Sequence, residues 1–331
     1  MANAAFSPKD FKAWIIEEAT TGTIPTITSG LLQLDVDSVA MPSLNVNQNL
    51  TPRTSVGRVL HANDFYQDNE VRATEVSLSG TYHNDTGHIL LMQSACGVAL
   101  AATVADVAIP TASTTVAGKY GVTEGDKTFT LVLAPPATTD GYNIVMPGCL
   151  CTNFSISAEA CSDGGLYKWS ATISSGQNPL TNNTATEAGT VYSAAPISLH
   201  TCTGATTVNS IASTILSGFS VTIDSPAVYQ GFSATGYAAY ARAPELAVTA
   251  TAQVKYDSVT RDILDNFNTQ TAHDAAGMLA LTQATATDCS IAIGSGVLVN
   301  VALSESDIML LDIEIKAVNV GNDIITFNLA A

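Results

Sequence analysis

The chain carries one strand–helix unit twice. Gly80-Thr81-Tyr82-His83-Asn84-Asp85-Thr86-Gly87-His88-Ile89-Leu90 reads as a strand running into a helix, and Val254-Lys255-Tyr256-Asp257-Ser258-Val259-Thr260-Arg261-Asp262-Ile263-Leu264 reads the same way. Tyr82 and Tyr256, Thr86 and Thr260, Ile89 and Ile263, Leu90 and Leu264 keep one spacing without a gap. A second echo follows each copy: Asn153-Phe154-Ser155-Ile156-Ser157 is matched by Asn300-Val301-Ala302-Leu303-Ser304. A third joins Ser217–Ser225 to Ser29–Ser38, which is one residue longer. Internal repetition decides architecture before any local reading, and two copies are too few for a solenoid. The expectation is a duplicated domain, and 331 residues suit about two domains of roughly 150 each.

The rest of the chain favours strands. Charged residues make up only 12% of it, about half of the usual roughly 25%, so its polar surface is built largely from Ser, Thr and Asn. Alternation is strict in Leu32-Gln33-Leu34-Asp35-Val36-Asp37 and in Phe154 to Ala158, as in half-buried strands. Strands are expected near 71–82, 128–133, 149–158, 166–174, 196–202, 215–223, 245–256, 289–293, 297–304, 309–317 and 322–329. Helices are expected over 7–18, from Asn84 or Asp85 to Gly97, over 258–268 and over 272–282. In the first, Ser7 caps, Pro8 fits the first helical position and Asp10 completes a capping-box spacing. Phe11, Trp14 and Ile15 then share a face that must dock on its own domain or on a neighbouring subunit. The segment 42–69 is long for a loop, with a shorter counterpart at 229–243, and 174–195 is the best linker. The boundaries are an N-terminal arm and helix over 1–18, a first unit over 19–178 and a second over 179–331. Residues 100–127 have no counterpart in the second copy.

Charge and motif exclude several functions. The net charge is −17, and no Lys or Arg lies between Lys168 and Arg242. Tight nucleic-acid binding needs basic side chains against the phosphates, so it is not expected here. No run approaches the roughly 20 apolar residues of a membrane span, and residues 1–30 lack the pattern of a secretory leader. The six cysteines follow no zinc or disulfide-scaffold spacing and are expected to be reduced and mostly buried. His83, Asp85 and His88 sit at a strand–helix junction whose second copy has no histidine, so they read as turn and cap residues. Glu17 and Glu18, and Asp35 and Asp37, read as solvated faces. No nucleophile elbow, phosphate loop, dinucleotide fingerprint or calcium loop is present. No catalytic residue, cofactor or metal is expected.

Taken in order, the N-terminal arm, Asp35–Ser38, the polar arm with Arg53 and Arg58, the unit Val76–Gly97, the strands Cys151–Ala158 and Leu166–Thr172, and then Phe219–Asp224 and Tyr256–Thr260 resemble a tail tube protein of a long-tailed, siphovirus-like bacteriophage. The resemblance implies a mainly β fold of two tandem tail-tube-type barrel or sandwich domains, each flanked by a short helix. It implies a virion protein, assembled in the host cytoplasm, whose units join edge to edge in stacked rings, three duplicated chains giving a pseudo-hexamer. Its partners would be further copies of itself, the tape measure, the tail terminator and distal tail proteins, with DNA passing through unbound and no membrane. On that footing Asp35, Asp37, Glu75, Ser77, Ser79, Ser220 and Thr222 are expected to line the lumen. Phe11, Trp14, Arg53 and Arg58 are expected at contacts between subunits or rings, while Ile89, Leu90, Ile263 and Leu264 pack the helices on the strands. The alternatives are the inner tube of a contractile tail or secretion machine, against which the duplication argues, and a decoration or adhesin-like β-protein. An enzyme would need a carboxylate or histidine constellation that is not visible.

Overall fold

The computed structural model describes residues 7–27, 29–42, 47–50, 65–68, 74–97, 106–109, 128–135, 143–182, 189–201, 206–213, 216–230, 239–242, 246–269, 278–281, 289–304, 308–318 and 324–329. The molecule is mainly β, built around one continuous antiparallel wall. Its strands follow the order Ser38–Val39, Thr74–Thr81, Lys168–Ser175, Asn143–Glu159, Leu216–Asp224, Ala247–Lys255, Leu310–Ala317 and Gly296–Ser304. Side chains alternate across it, as the pleat dictates. Val76, Leu78, Trp169, Ala171, Phe154, Ile156, Phe219, Val221, Ala250, Ala252, Leu311 and Ile313 are buried on one face. Their neighbours Glu75, Ser77, Ser170 and Thr251 are exposed on the other.

The wall consists of two four-strand sets in the same order. In the first set the strand pair Lys168–Ser175 and Asn143–Glu159 slips register after Thr172 opposite Asn153, so that Ile173 faces Cys151 and Thr152 is left unopposed. In the second set Glu314 faces Asn300 and Ile315 faces Leu298, leaving Val299 unopposed. The bulges thus fall one residue before Asn153 and one before Asn300, the asparagines that open the repeated pentapeptides. Each set's first strand is followed by a two-stranded hairpin, Asn47–Leu50 with Phe65–Asp68 and Ala227–Gln230 with Ala239–Arg242. Each set's second strand is followed by a helix. Between the sets, Asn143–Glu159 pairs with Leu216–Asp224, from Glu159 opposite Gly218 to Asn153 opposite Asp224.

The two helices pack differently. Thr86–Cys96 is buried from Gly87 to Cys96, including Ile89 and Leu90, and it lies against Asn143–Glu159. A helix that is apolar all round belongs inside a fold. It ends at Gly97, whose left-handed φ of 65° lets its N–H reach the carbonyls of Gln93 and Ser94. Asp85 holds the N-cap position, but its carboxylate accepts the N–H groups of Ser193 and Ala194. Arg261–Thr269 buries only Ile263, with Leu264 half-buried and Arg261, Asp262 and Asp265 exposed. Asp257 caps this helix by accepting from Val259 and Thr260, and those bonds lower its pKa.

Several sequence expectations change. Residues 7–18 do not form a helix: Ser7 and Asp10 do make the capping box, but only around the 3-10 turn Pro8–Asp10. Lys12–Glu17 is a strand between Leu31–Leu34 and Phe129–Ala134. Ala13, Trp14 and Ile15 are buried consecutively, because both faces of this strand are covered, and two-sided burial erases the period of two. Trp14 is 2% exposed in a small core with Ile27, Leu31, Val132 and Val145, so it is no contact for another subunit. Leu279–Leu281 is a strand where the end of a helix was expected, in a second sheet whose edge sets Asp106–Ile109 beside Ile325–Leu329. The 100–127 segment therefore contributes a strand next to the end of the chain. In place of a strand over 196–202 there is the 3-10 turn Leu199–Thr201 with two isolated bridges. Within the expected linker, Leu180–Asn182 pairs with Asn143–Val145 and Gly189–Thr190 pairs with Leu31–Leu32. The Ser29–Ser38 echo is also out of register: Ser38 faces Ser79 and Val39 faces Leu78 as Gly218 faces Gln253 and Phe219 faces Ala252. Glu18 is not solvated. It is 1% exposed and accepts from Gly22 N, Gly148 N, Thr128 Oγ1 and Thr130 Oγ1.

Candidate functional site

The wall's polar face is the surface that both sets build together. Rows of short polar side chains cross it from strand to strand. One runs Ser38, Ser79, Ser170, Ser155, Thr222, Thr249 and Lys316. The next runs Thr81, Lys168, Ser157, Ser220, Thr251, Glu314 and Asn300. Neither row is interrupted where the first set meets the second. Ser155 and Ser170 hydroxyls hydrogen-bond at 2.8 Å, which ties neighbouring strands on this face.

The face curves inward over the joint between the sets. There it forms a trough of about 550 Å³ whose lining includes Glu159, Asp163, Asp312 and Glu314 against a single ammonium, Lys168. Carboxylates gathered on a concave surface concentrate negative potential there. The hydroxyls of Ser157, Ser162, Ser220 and Thr251 in its lining are weaker donors to a phosphate than a charged side chain.

Glu75, Ser77, Ser79, Ser220 and Thr222 all stand on this face. Asp37 is exposed and lies 3.5 Å from the Lys168 ammonium. Asp35 does not join them. Its carboxylate is 2.8 Å from His83 Nε2, whose ring binds the Ala194 carbonyl through Nδ1 at the same distance. This pull is possible because the chain crosses Gly80 so closely that a Cβ there would collide with the Asp35 carbonyl oxygen. Phe11 is half-buried against the main core. Arg53 and Arg58 lie outside the described residues. Ile89, Leu90 and Ile263 are core residues, and Leu264 packs at its margin.

Ser155, Ser157, Ser170, Thr249, Thr251, Asp312 and Glu314 share this face without being singled out by sequence reasoning. The alternation of 245–256 points Thr249 and Thr251 to it, whereas the strands of the other five carry the same alternation without being expected there. Sequence reasoning also missed Arg242. This side chain is 5% exposed and reaches from the second hairpin into the joint. It donates to the carbonyls of Cys151, Ser225 and Ser94 and to the hydroxyls of Ser225 and Ser94. Its isolation after 73 residues (169–241) without Lys or Arg was the available clue.

The histidines at the junction serve packing. His88 lies between Tyr82 and Trp169, with ring centroids 5.6 and 5.4 Å away. Burial, and then the neighbouring His83, pushes its pKa down to about 3. Among the described residues no group of three His, Cys, Asp or Glu is placed to hold a metal ion. Of the described cysteines, Cys96, Cys149, Cys151 and Cys289 are buried and Cys161 is exposed, none of them in a disulfide. No described helix is long and apolar enough to cross a membrane.

Among the described residues, the wall ends in two strands that are paired on one side only. Ser38–Val39 pairs with Thr74–Thr81, and Gly296–Ser304 pairs with Leu310–Ala317. Next to the second edge, Val299, Leu303, Ile308 and Met309 are exposed hydrophobics. A family model described as phage tail tube protein matches residues 12–324. No curated protein matches the chain.

Proposed function

The chain belongs to the phage tail tube protein family, and from that premise we propose how it builds the tube. The two wall sets are copies of one tube unit, and because 180–182 and 189–190 pair back onto the first, the passage to the second falls later than residues 178 and 179, before Leu216–Asp224. Three chains close a ring of six units, and rings stack into the hollow tail of a long-tailed phage. The polar concave face lines the channel, first around the tape measure and then around the DNA. Terminator and distal tail proteins cap the two ends, and assembly takes place in the host cytoplasm. The role is structural.

One observation carries this reading: the second half of the first set's last strand, Asn153 to Glu159, pairs with the first strand of the second set. The chain thus contains one complete unit-to-unit joint. An exposed strand edge is an aggregation liability in a lone protein. In a closed ring it becomes the next joint, and head-to-tail stacking of rings propagates as a filament. The carboxylate-lined trough suits a channel that must pass DNA without holding it, because phosphates are repelled by it.

Negative-stain microscopy of the purified protein tests this. Hollow tubes of uniform width are expected, with rings whose averaged end views show threefold modulation of a six-unit wall. Monomers under all conditions of concentration and salt would count against the tube. A sixfold ring of whole chains would overturn the stoichiometry.

A further inference from the structure

The internal joint supplies a template for the joint between chains, and this inference rests on the ring reading above. Inside the chain, Ser157 faces Ser220 and Ile156 faces Val221. The matched bulges make Ser304 and Leu303 the counterparts of Ser157 and Ile156. The matched pairing of the first strands makes Ala40 and Met41 the counterparts of Ser220 and Val221. We propose that the free edge of Gly296–Ser304 pairs antiparallel with the segment beginning at Ser38–Val39 in a second copy of this chain, with Ser304 opposite Ala40 and Leu303 opposite Met41.

Burial identifies the occupant. Ile156 is fully buried, whereas its counterpart Leu303 is 46% exposed, although both lie on the apolar side of the wall. Ile156 has a strand on each side, whereas among the described residues Leu303 has one on a single side. Met41, half-buried at its own edge and packed against the core, is the apolar side chain that this register places over Leu303. A slip of one residue would instead turn Met41 toward the polar channel face, since strand side chains alternate. Pro42 follows directly. A proline suits a strand that is an edge until it is joined, because it offers no N–H to an unintended partner.

Cysteine cross-linking of assembled protein tests the register. Ala40→Cys and Ser304→Cys in one chain should give, under mild oxidation and on a non-reducing gel, a ladder that stops at a covalent trimer. Equimolar chains carrying one substitution each should stop at the dimer. Ala40→Cys with Leu303→Cys sets the thiols on opposite faces and should cross-link at least tenfold less. Each single variant alone gives the background from native thiols such as Cys161. Should a cysteine pair prevent assembly, Leu303→Asp against Leu303→Met provides a second reading. The aspartate should abolish rings while leaving the circular dichroism of the monomer unchanged, and the methionine should keep them. Tubes that form but cross-link only out of register, or assemble normally with Leu303→Asp, overturn the proposed joint and leave the tube standing. A native chain that forms no ring overturns both.

Discussion

Replacing His88 with phenylalanine should make folding stability less sensitive to acid. The ring is fully buried, and neither of its nitrogens has a hydrogen-bond partner among the described residues. Its pKa falls from 6.5 to about 3, chiefly through burial. The unfolded chain therefore takes up a proton at His88 below about pH 6.5, while the folded chain stays neutral there until about pH 3. The stability this group confers is complete above the unfolded value and is lost as pH falls through that window. Each unit corresponds to about 1.4 kcal/mol, so moving from pH 7 to pH 4.5 costs the native chain about 2.7 kcal/mol through this residue. Carboxylates titrate in both proteins and largely cancel in the comparison. Urea denaturation of unassembled native protein and His88→Phe at the two pH values gives the double difference. At pH 7 the variant should be no less stable, because phenylalanine fills the site between Tyr82 and Trp169 without a buried unpaired donor. A double difference below about 0.5 kcal/mol, a fraction of the value expected from linkage, would refute the account of a neutral, desolvated imidazole.

Two further outcomes follow from other parts of the wall. Arg242→Ala leaves three buried carbonyls, of Ser94, Cys151 and Ser225, without this donor. At about 1 kcal/mol or more for each unsatisfied group, the unassembled chain should lose roughly 3 kcal/mol in denaturant, with Arg242→Lys recovering only part of it. A loss under about 1 kcal/mol would show that water replaces the guanidinium without penalty. Changing Glu75, Asp312 and Glu314 together to lysine should leave tubes intact and slow DNA ejection from assembled particles. The delay should grow as salt is lowered, because screening weakens attraction to phosphates. Ejection at the native rate would separate the polar face from the channel.

What could be read from the sequence was local. Alternation placed the strands at 74–81, 168–175, 216–224, 247–255 and 310–317 within a few residues, and Gly97 marked the end of the first helix. It failed where local pattern and tertiary context conflict. Lys12–Glu17 shows a helical spacing of Phe11, Trp14 and Ile15, but sheet neighbours cover both of its faces. Glu18 looks like a surface charge until Thr128, Thr130 and Gly148 arrive from more than a hundred residues away. Asp35 follows the alternation of a wall strand, yet the strand ends at Leu34 and the carboxylate turns to His83. The joint between the sets was out of reach for the same reason. Strand pairing between residues 59 to 71 apart leaves no periodic trace, and Arg242, which secures it, reaches Ser94 and Cys151 from 148 and 91 residues away.

The Asn143–Glu159 strand acts as a mechanical strut. It is 17 residues long, roughly 55 Å if straight. Its first half is paired to Phe129–Leu133 in the layer that contains Trp14, and its second half to Leu216–Asp224 in the wall. Between them, at Pro147–Gly148, the backbone turns through a φ of 66° at the glycine. Lys168–Ser175 runs alongside the second half, from Ser157 to Cys149, and the Ser175 hydroxyl donates to the Pro147 carbonyl at the turn. Displacing one layer along the strand would load many parallel hydrogen bonds in shear together, instead of opening them one after another. Sliding one layer past the other is therefore opposed along the whole length of this one strand.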